Sequence, residues 1–410
     1  MRTIITFLND KGLKEGTFYS WNGVLYEGGV FSLALRQFVE HDRMLVCNTP
    51  EAAKNTYPAL QALNDSRITP VDIPKGENTN EMWEIFNTIT SHVNTDETVI
   101  FDITHGLRSL PFLVFLFAAY LKFSKNVTIE AIYYGAFELG KPAPIIDLSE
   151  FVGMLDWITA TDQFVQTGDA QRLANLLNPV GKAGNATKKA AKTLSDVSLA
   201  TFLCQPLHLA NVAKNLEADL AKAQEELLRN VAPFEMLRQR ITETFSGFVG
   251  DFEANPQLAL QSQLRLVRWY SSNSRLIEAM TLAREWLINA VAYRLNIPFS
   301  LKIKTRENLI ARAISGIEMV SRHALEVEEL NEYGRIIYDS WSEKDKLVKL
   351  WNVLQPVRNA LDHAGHQEGA MSIANIIKKV NNDVIPLLIE LASLWELADE
   401  EIPNNLNLDS

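Results

Sequence analysis

Apolar positions change their spacing about 150 residues into the chain. Before that point, short runs of β-branched residues alternate with longer stretches whose apolar residues recur at helical spacing. This alternation is typical of β-α-β units around a mainly parallel sheet. The predicted strands are 3–8, 44–48, 68–73, 98–103, 127–134 and 144–148, and the predicted helices are about 29–38, 51–63, 80–93 and 108–123. The pattern therefore predicts a doubly wound, Rossmann-like α/β domain.

Beyond residue 149 the strand signals nearly disappear, and apolar residues continue to recur at helical spacing. The predicted helices there are 207–228, 258–269, 274–295, 306–314, 344–354, 357–363 and 373–398. Residues 181–192 are small, polar and basic, which predicts an exposed connection, and 247–256 is a second weak point. We therefore predict a sheet domain over 1–155, a helical linker region over 156–250 and an all-helical domain over 251–410.

The composition fits an ordinary globular protein of two or three domains, with 410 residues of which 47% are hydrophobic and 22% are charged. Cys47 and Cys204 are far apart, and the chain shows no signal-peptide pattern, so we expect no disulfide and a reducing cytoplasm. The most apolar stretch, 110–121, is about half the roughly 20 residues that a bilayer requires. We therefore expect no membrane-spanning segment.

The formal net charge is -11, from 39 basic and 50 acidic residues. Residues 1–160 hold 12 of the basic and 19 of the acidic residues, so acidity is concentrated in the sheet domain. This balance excludes a general nucleic-acid binder, which needs a basic excess. Any nucleic acid must therefore be held at a local site.

The first candidate site is the turn between the predicted strand at 98–103 and the apolar helix that follows it. Ligands of doubly wound sheets bind at the carboxyl ends of strands, where helix N-termini offer free N–H groups to phosphates. Gly106 permits close backbone approach, Arg108 can form a fork to a phosphate, and Thr104 and His105 add donors. The alternative interpretation is a well-capped strand-to-helix connection.

Two further strand ends belong to the same predicted sheet edge. Asn9 and Asp10 follow the first strand, and Asn48 and Thr49 follow or end the second. Together with the turn they predict a pocket for an anionic ligand. The chain has neither a Walker-type loop nor a Gly-x-Gly-x-x-Gly after the first strand, so ATP hydrolysis and dinucleotide binding lack their usual support.

The second candidate site is a short predicted helix near the C-terminus. Pro356 suits the first turn of that helix, which carries Arg358, Asn359 and His363. Asn359 and His363 are four residues apart and share a face. Arg358 lies on another face of the helix, so its long side chain must curl if it is to contact the same substrate phosphate as His363.

The same residues also have a structural interpretation. Arg358 and Asp362 are spaced as an i,i+4 ion pair, and His363 could complement the dipole at the end of the helix. His363 and His366 are three residues apart, but no third ligand is obvious, so no metal site is predicted.

Taken together, the two segments resemble a known family. Residues 102–106, followed by Arg108, resemble the Asp-x-Thr-His-Gly motif of CRISPR-associated CARF-domain proteins of type III systems. Residues 358–363 match the Arg-x4-6-His signature of HEPN ribonucleases, including an Asn directly after the Arg. The resemblance covers about 1–178 and returns at 358–363. The order of the two motifs is more specific than either motif alone.

The resemblance implies an N-terminal Rossmann-like CARF sensor and a C-terminal helical HEPN nuclease. In this family, a dimer of CARF domains binds cyclic oligoadenylate that a type III effector complex makes on detecting foreign RNA. The ring, expected to be cyclic tetra-adenylate, would act as an allosteric activator, and no cofactor is expected. Ring contacts are expected from Asn9, Asp10, Asn48, Thr104, His105, Gly106 and Arg108.

The resemblance further implies that Arg358, Asn359 and His363 of two subunits form one composite site. That site would cut single-stranded RNA without metal, by attack of the ribose 2′-hydroxyl. Histidine, with an ordinary pKa near 6.5, can move the protons, and arginine matches the phosphate oxygens and stays charged. Asn359 would orient the phosphate or His363. A homodimer, or an oligomer of dimers, is expected.

Two other functions remain open. One is a non-catalytic cyclic-nucleotide sensor or scaffold, although such a protein has no reason to keep the residues of 358–363 together. The other is a ring nuclease that degrades the messenger, for which His105 or Thr104 would matter.

Overall fold

The computed structural model describes residues 1–106, 109–179, 184–226, 234–363, 365–366 and 370–398. The chain divides into two units, Met1–Trp157 and Ile158–Ser410. The first unit contains the sheet, and the second is helical wherever it has regular structure within the described ranges. The predicted domain boundaries at 155 and 250 remain predictions.

One mixed sheet organises the first unit. Its eight described strands are β1 Arg2–Phe7, β2 Phe18–Trp21, β3 Val24–Glu27, β4 Arg43–Asn48, β5 Ile68–Asp72, β6 Thr98–Asp102, β7 Thr128–Gly135 and β8 Ala143–Asp147. They lie in the order β3-β2-β8-β7-β6-β1-β4-β5. All neighbours pair in parallel except β7 with β8 and β2 with β3. The mainly parallel α/β fold is thus confirmed, and so are all six predicted strands.

Helices cover both faces of this sheet. The helices of the unit are α1 Phe31–Phe38, α2 Pro50–Asn55, α3 Tyr57–Gln61, α4 Thr79–Ser91, α5 Leu110–Lys125 and the start of α6 Ser149–Thr167. One core packs the sheet against α4 and α5, around residues such as Ile89 and Phe117. The other packs it against α1, α2 and α3, around Phe31 and Leu60. Strands enclosed on both faces are apolar throughout, which explains why their sequences were easy to recognise.

The hairpin of β2 and β3 was not predicted. Each of its strands has only four residues, too few to show a clear alternation. Asn22 and Gly23 connect them, with φ of 50° and 80°. Two consecutive residues with positive φ define the turn that suits a tight hairpin, and Asn-Gly is its strongest sequence signal. This dipeptide is therefore the signal that would have revealed the hairpin.

Helices α4 and α5 expose an unusually aromatic surface, which we call the α4–α5 face. Its most exposed large side chains are Trp83 at 61%, Phe112 at 69% and Phe123 at 54%. A cavity of about 1070 Å³ lies along this face. Large exposed apolar patches are uncommon on soluble monomers. No helix in the described part of the chain is long and apolar enough to span a membrane.

The second unit is built from helices. After the end of α6 these are α7 Gln171–Leu177, α8 Asn185–Phe202, α9 Pro206–Ala213, α10 Leu216–Glu226, α11 Phe234–Ser246, α12 Pro256–Ser272, α13 Leu276–Arg294, α14 Ile303–Thr305, α15 Arg312–Ser321, α16 Glu332–Ser340, α17 Lys344–Asp362, α18 Ile373–Lys379 and α19 Ile385–Leu394. Short π-helical segments are Arg306–Ala311 and Val380–Val384, and Val327–Glu329 is a 3₁₀ turn. The all-helical prediction is confirmed for the described residues.

The prediction of an exposed connection over 181–192 was wrong from residue 185 onward. Helix α8 starts there, and its small residues, including Ala190 and Ala191, are buried. The Glu226 carboxylate accepts the N–H groups of Ala186 and Thr187, both at 2.9 Å. An acidic group at a helix N-terminus satisfies unpaired donors and the helix dipole. Packing and capping therefore outweigh the loop-like composition.

The predicted helix break before Pro356 was also wrong. Helix α17 runs without interruption from Lys344 to Asp362, with Pro356 inside it. Proline removes one helical hydrogen bond, but Pro356 is exposed while Leu354 and Val357 beside it are buried. Burial of the apolar residues on this face of α17 stabilises the helix more than the lost hydrogen bond destabilises it. Arg358 and Asn359 therefore lie at the end of a long helix.

Candidate functional site

A cavity of about 530 Å³ lies at the carboxyl-end edge of the sheet, where β1, β4 and β6 end. The predicted site residues that line it are Asn9, Asp10, Thr104, His105 and Gly106. Its wall also includes Lys11 and Thr49, which follow the first two predicted strands, and four polar or aromatic residues that were not predicted, namely Lys14, Thr17, Tyr19 and Phe137. The strand order therefore brings together segments that are far apart in the sequence.

Asp102 builds the turn after β6 and does not line the cavity. Its side chain is fully buried, and its Oδ1 accepts the N–H of Thr104 at 2.8 Å. Its Oδ2 accepts the hydroxyl of Thr6 at 2.6 Å. The hydroxyl of Thr104 in turn accepts the N–H of Gly135 at 2.8 Å. Burial raises the pKa of Asp102 to about 6, against the opposing effect of these hydrogen bonds.

His105 is held as a neutral ring. Its Nε2 lies 3.2 Å from the N–H of Phe31 and accepts it, which places the ring hydrogen on Nδ1. Burial, together with the positive charge of Lys14, lowers the pKa of His105 to about 4. The ring stacks with Phe137 at a centroid distance of 6.2 Å. At neutral pH His105 can therefore offer a hydrogen bond to a ligand but no positive charge.

Gly106 follows with a conformation that other residues rarely adopt. Its φ is +104°, and a Cβ added there would lie 3.0 Å from Leu110 Cδ2 and 3.2 Å from Phe7 Cβ. Backbone strain and crowding thus act together at this position. A glycine is required for the turn that places His105 at the cavity.

The loop after β1 is fixed by hydrogen bonds. Asn9 Oδ1 accepts the N–H of Lys11 at 2.8 Å, and Thr56 donates its hydroxyl to the Asn9 carbonyl at 2.6 Å. The Asp10 carboxylate accepts the hydroxyl of Thr49. Both predicted side chains therefore shape the loop in addition to facing the cavity.

The wall of the cavity carries two lysines and the carboxylate of Asp10, so basic side chains outnumber acidic ones there. Lys11 and Lys14 line it, and the Lys14 ammonium lies 4.3 Å from the centroid of the Phe137 ring. A second cavity of about 470 Å³ shares Lys14, Thr17 and Phe137 with the first and adds Lys141. The sequence signal for Lys11 and Lys14 is their place in a Gly-containing loop directly after the first strand.

Two predicted ligand contacts are not placed in the cavity. Asn48 is 1% exposed at the end of β4, its amide has no hydrogen-bond partner within the described residues, and the next residue, Thr49, lines the wall instead. Asn48 is the last residue of β4, whereas Thr49 already caps the N-terminus of α2. Arg108 lies outside the described residues.

The predicted catalytic residues all lie at the end of α17. Arg358 and Asn359 lie in its last turn, and His363 directly follows the helix with its N–H 3.1 Å from the Asn359 carbonyl. Asn359 and His363 are exposed. Nε of Arg358 lies 2.7 Å from Oδ2 of Asp362, which confirms the i,i+4 ion pair. The described residues hold no group of three or more His, Cys, Asp or Glu side chains arranged for a metal ion.

Fold and sites together define a two-part protein, with an α/β unit that carries a ligand-sized cavity and a helical unit in which α17 ends with Arg358, Asn359 and His363. A protein-family model described as "CRISPR-associated protein MJ1674, second domain" matches residues 153–252. The CRISPR-associated protein MJ1674 of Methanocaldococcus jannaschii is 31% identical over 133 residues. That alignment covers 31% of this chain and 20% of the relative, so the matched part is about a fifth of the relative's length.

Among solved structures, the chain is similar to Enterococcus italicus Csm6 bound to cyclic hexa-2′-fluoro-hexa-dAMP. The TM-score is 0.45 and the sequence identity is 9%. The alignment covers 98% of this chain and 96% of that one.

Proposed function

We propose that this chain is an accessory endoribonuclease of a type III CRISPR system, activated by cyclic oligoadenylate and cutting single-stranded RNA. The similarity of residues 153–252 to a CRISPR-associated family model and the 31% identity to a CRISPR-associated protein support the CRISPR role. The observation that carries the proposal is that one chain holds both a cavity suited to an anion and the cluster Arg358, Asn359 and His363 at one helix end.

The cavity chemistry supports a nucleotide ligand. Its volume of about 530 Å³, and that of the adjoining 470 Å³ cavity, fall in the usual range for small-molecule sites. Lys11 and Lys14 supply charge for phosphates, and Phe137 supplies a ring for a base. Arg108, two residues after Gly106, would add a bidentate phosphate contact. The shared wall suggests that one chain holds more than one nucleotide unit.

The α4–α5 face supports a homodimer, with an oligomer of dimers as a further possibility. A second copy that covers Trp83, Phe112 and Phe123 would remove a large apolar surface from water. The face carries both protruding rings and a groove, so it suits a partner of the same shape. Dimerisation would also supply the second Arg358, Asn359 and His363 of a composite site.

The chemistry proposed for that site needs no cofactor or metal. His363 moves the proton of the ribose 2′-hydroxyl or of the leaving 5′-oxygen, and Arg358 neutralises the developing phosphorane. Asn359 orients the phosphate. The products are a 2′,3′-cyclic phosphate and a 5′-hydroxyl.

The test uses the purified full chain with a fluorophore-quencher RNA, and adds cyclic tri-, tetra- or hexa-adenylate in the presence of EDTA. We expect cleavage only with a ring, and most strongly with cyclic tetra-adenylate. Cleavage that requires Mg²⁺, or that is independent of every ring, would contradict the proposal.

Chromatography of the ring from the same reactions tests the alternative functions. Conversion of the ring to linear products would support the ring nuclease. Ring binding without any RNA cleavage would instead support the sensor or scaffold.

A further inference from the structure

Arg358 is influenced by two carboxylates of the second unit. One is Asp362, whose Oδ2 lies 2.7 Å from Nε of Arg358. The other is Glu307, in the π-helical segment Arg306–Ala311. The pKa of Glu307 is lowered mainly by its hydrogen bonds with Arg284, with a further contribution from the charge of Arg358. The guanidinium therefore has two carboxylates, Asp362 and Glu307, among its charged neighbours.

Glu307 is already committed to another partner. Its Oε1 and Oε2 accept Nη1 and Nη2 of Arg284 at 3.1 Å and 2.8 Å. The Arg284 guanidinium also lies 5.9 Å from the ring centroid of Trp351, a buried residue of α17 about two turns before Arg358. This fork keeps the Glu307 carboxylate in place. Asp362 is therefore the carboxylate that directly holds Arg358.

The contact with Asp362 uses only one edge of the guanidinium. Arginine carries five N–H donors in a planar fork. The Asp362 carboxylate approaches Nε as an ion pair, while Nε has no hydrogen-bond partner within the described residues. The ion pair is formed at Nε and not at the two Nη groups of Arg358. These two groups form the edge that matches two oxygens of a phosphate. The pair thus restrains the long side chain and leaves its phosphate-binding edge available.

We propose that Asp362 is a positioning residue for RNA cleavage, which holds Nε of Arg358 so that the Nη edge faces the scissile phosphate. The inference rests on the proposed function, because it requires Arg358 to bind an RNA phosphate. Asp362 does not itself contact RNA in this arrangement. Its negative charge opposes the approach of a polyanion, so removing it should not weaken RNA binding.

The test compares Asp362→Ala, Asp362→Glu and the unsubstituted chain in ring-activated RNA cleavage, with kcat and KM measured separately. We expect Asp362→Ala to lower kcat by roughly tenfold to a hundredfold, because a misplaced catalytic group costs rate. KM should stay equal or fall. Asp362→Glu, which can still reach Nε, should recover most of kcat. The matched control is Glu318→Ala, which removes the i,i+4 partner of Arg322 on α15.

The outcomes separate the inference from the proposed function. A normal kcat for Asp362→Ala, or a loss that Glu318→Ala reproduces together with an equal drop in melting temperature, would overturn the inference alone. A failure of Asp362→Glu to recover kcat would overturn it as well. Absence of ring-activated cleavage by the unsubstituted chain would reject the proposed function, and the inference with it.

Discussion

The two candidate sites are fixed in place by different means. In the sheet unit, a buried carboxylate, backbone N–H groups and a glycine with positive φ hold the cavity residues. At the end of α17, one ion pair holds Arg358, while Asn359 and His363 project into solvent. The cavity therefore depends on contacts between segments that are far apart in the sequence, whereas the site at the end of α17 depends on a few neighbouring residues. Substitutions in the first should therefore affect binding and stability together, whereas substitutions in the second should affect chemistry alone.

The largest expected effect falls on the helix-end site. His363→Ala should lower RNA cleavage by about 10²–10⁴-fold, the usual contribution of a general acid or base. Since His363 is exposed, the melting temperature and ring binding should not change. Gel analysis of RNA products and a ring-binding titration would measure both. Retained cleavage, or a parallel loss of stability, would remove the distinction between the two sites.

The next effect concerns His105 and pH. Unfolded histidine takes up a proton near pH 6.5, whereas in the folded chain the pKa of His105 is lowered to about 4. The free energy of unfolding should therefore fall as the pH drops from 6.5 to 4. His105→Gln removes this titrating group and with it the loss of stability. The difference in free energy of unfolding between the unsubstituted chain and His105→Gln should therefore change by at most about 3 kcal/mol between pH 6.5 and pH 4. Urea denaturation at pH 7 and pH 4 would measure it.

Asp102 changes the free energy of unfolding with pH in the opposite direction to His105. Because Asp102 is present in both the unsubstituted chain and His105→Gln, its effect cancels when the two are compared. Its folded pKa is raised to about 6, so the folded chain binds its proton first and stability from this group increases as the pH falls from 6 to 4. An unchanged difference between the chains would mean that His105 is not held neutral.

Ring binding should respond to the cations of the cavity. Lys14→Ala should weaken binding of cyclic oligoadenylate by about 1.5–3 kcal/mol, the range for a hydrogen bond to a charged group. Arg108→Ala is predicted to act in the same range. Lys54→Ala, an exposed lysine of α2 outside the cavity wall, is the control. Isothermal titration with the three variants would show which cation contacts the ring, and equal affinities would reject the assignment.

The smallest of the effects concerns the α4–α5 face. Trp83→Ala should weaken dimerisation by about 2 kcal/mol, a typical value for an aromatic residue at the centre of an interface. Analytical ultracentrifugation over a concentration series would measure the dissociation constant. Ile373→Ala, at an exposed apolar position on α18, should leave it unchanged. A dimer indifferent to Trp83 would show that the exposed aromatic face serves another contact.

The sequence alone was sufficient where the pattern repeats over many residues. The parallel strands β1, β4 and β6 were predictable because nearly all of their residues are buried, and the Arg358–Asp362 pair was predictable because it lies within one helix. The sequence could not predict that Lys14 and Phe137 line the same cavity, since this depends on the order of the strands in the sheet. Asn48 does not line the cavity because it is buried at the end of β4, a detail that the apolar pattern of the strand does not fix.

Both outer strands of the sheet are poor templates for a further strand. β3 offers only four residues, and β5 carries Pro70 at its centre, which has no N–H to donate. Backbone pairing between sheets, which can continue from copy to copy without limit, is therefore discouraged at each end. If copies of this chain associate as proposed, contacts between helix side chains are the route left open, and such contacts can close after a fixed number of subunits.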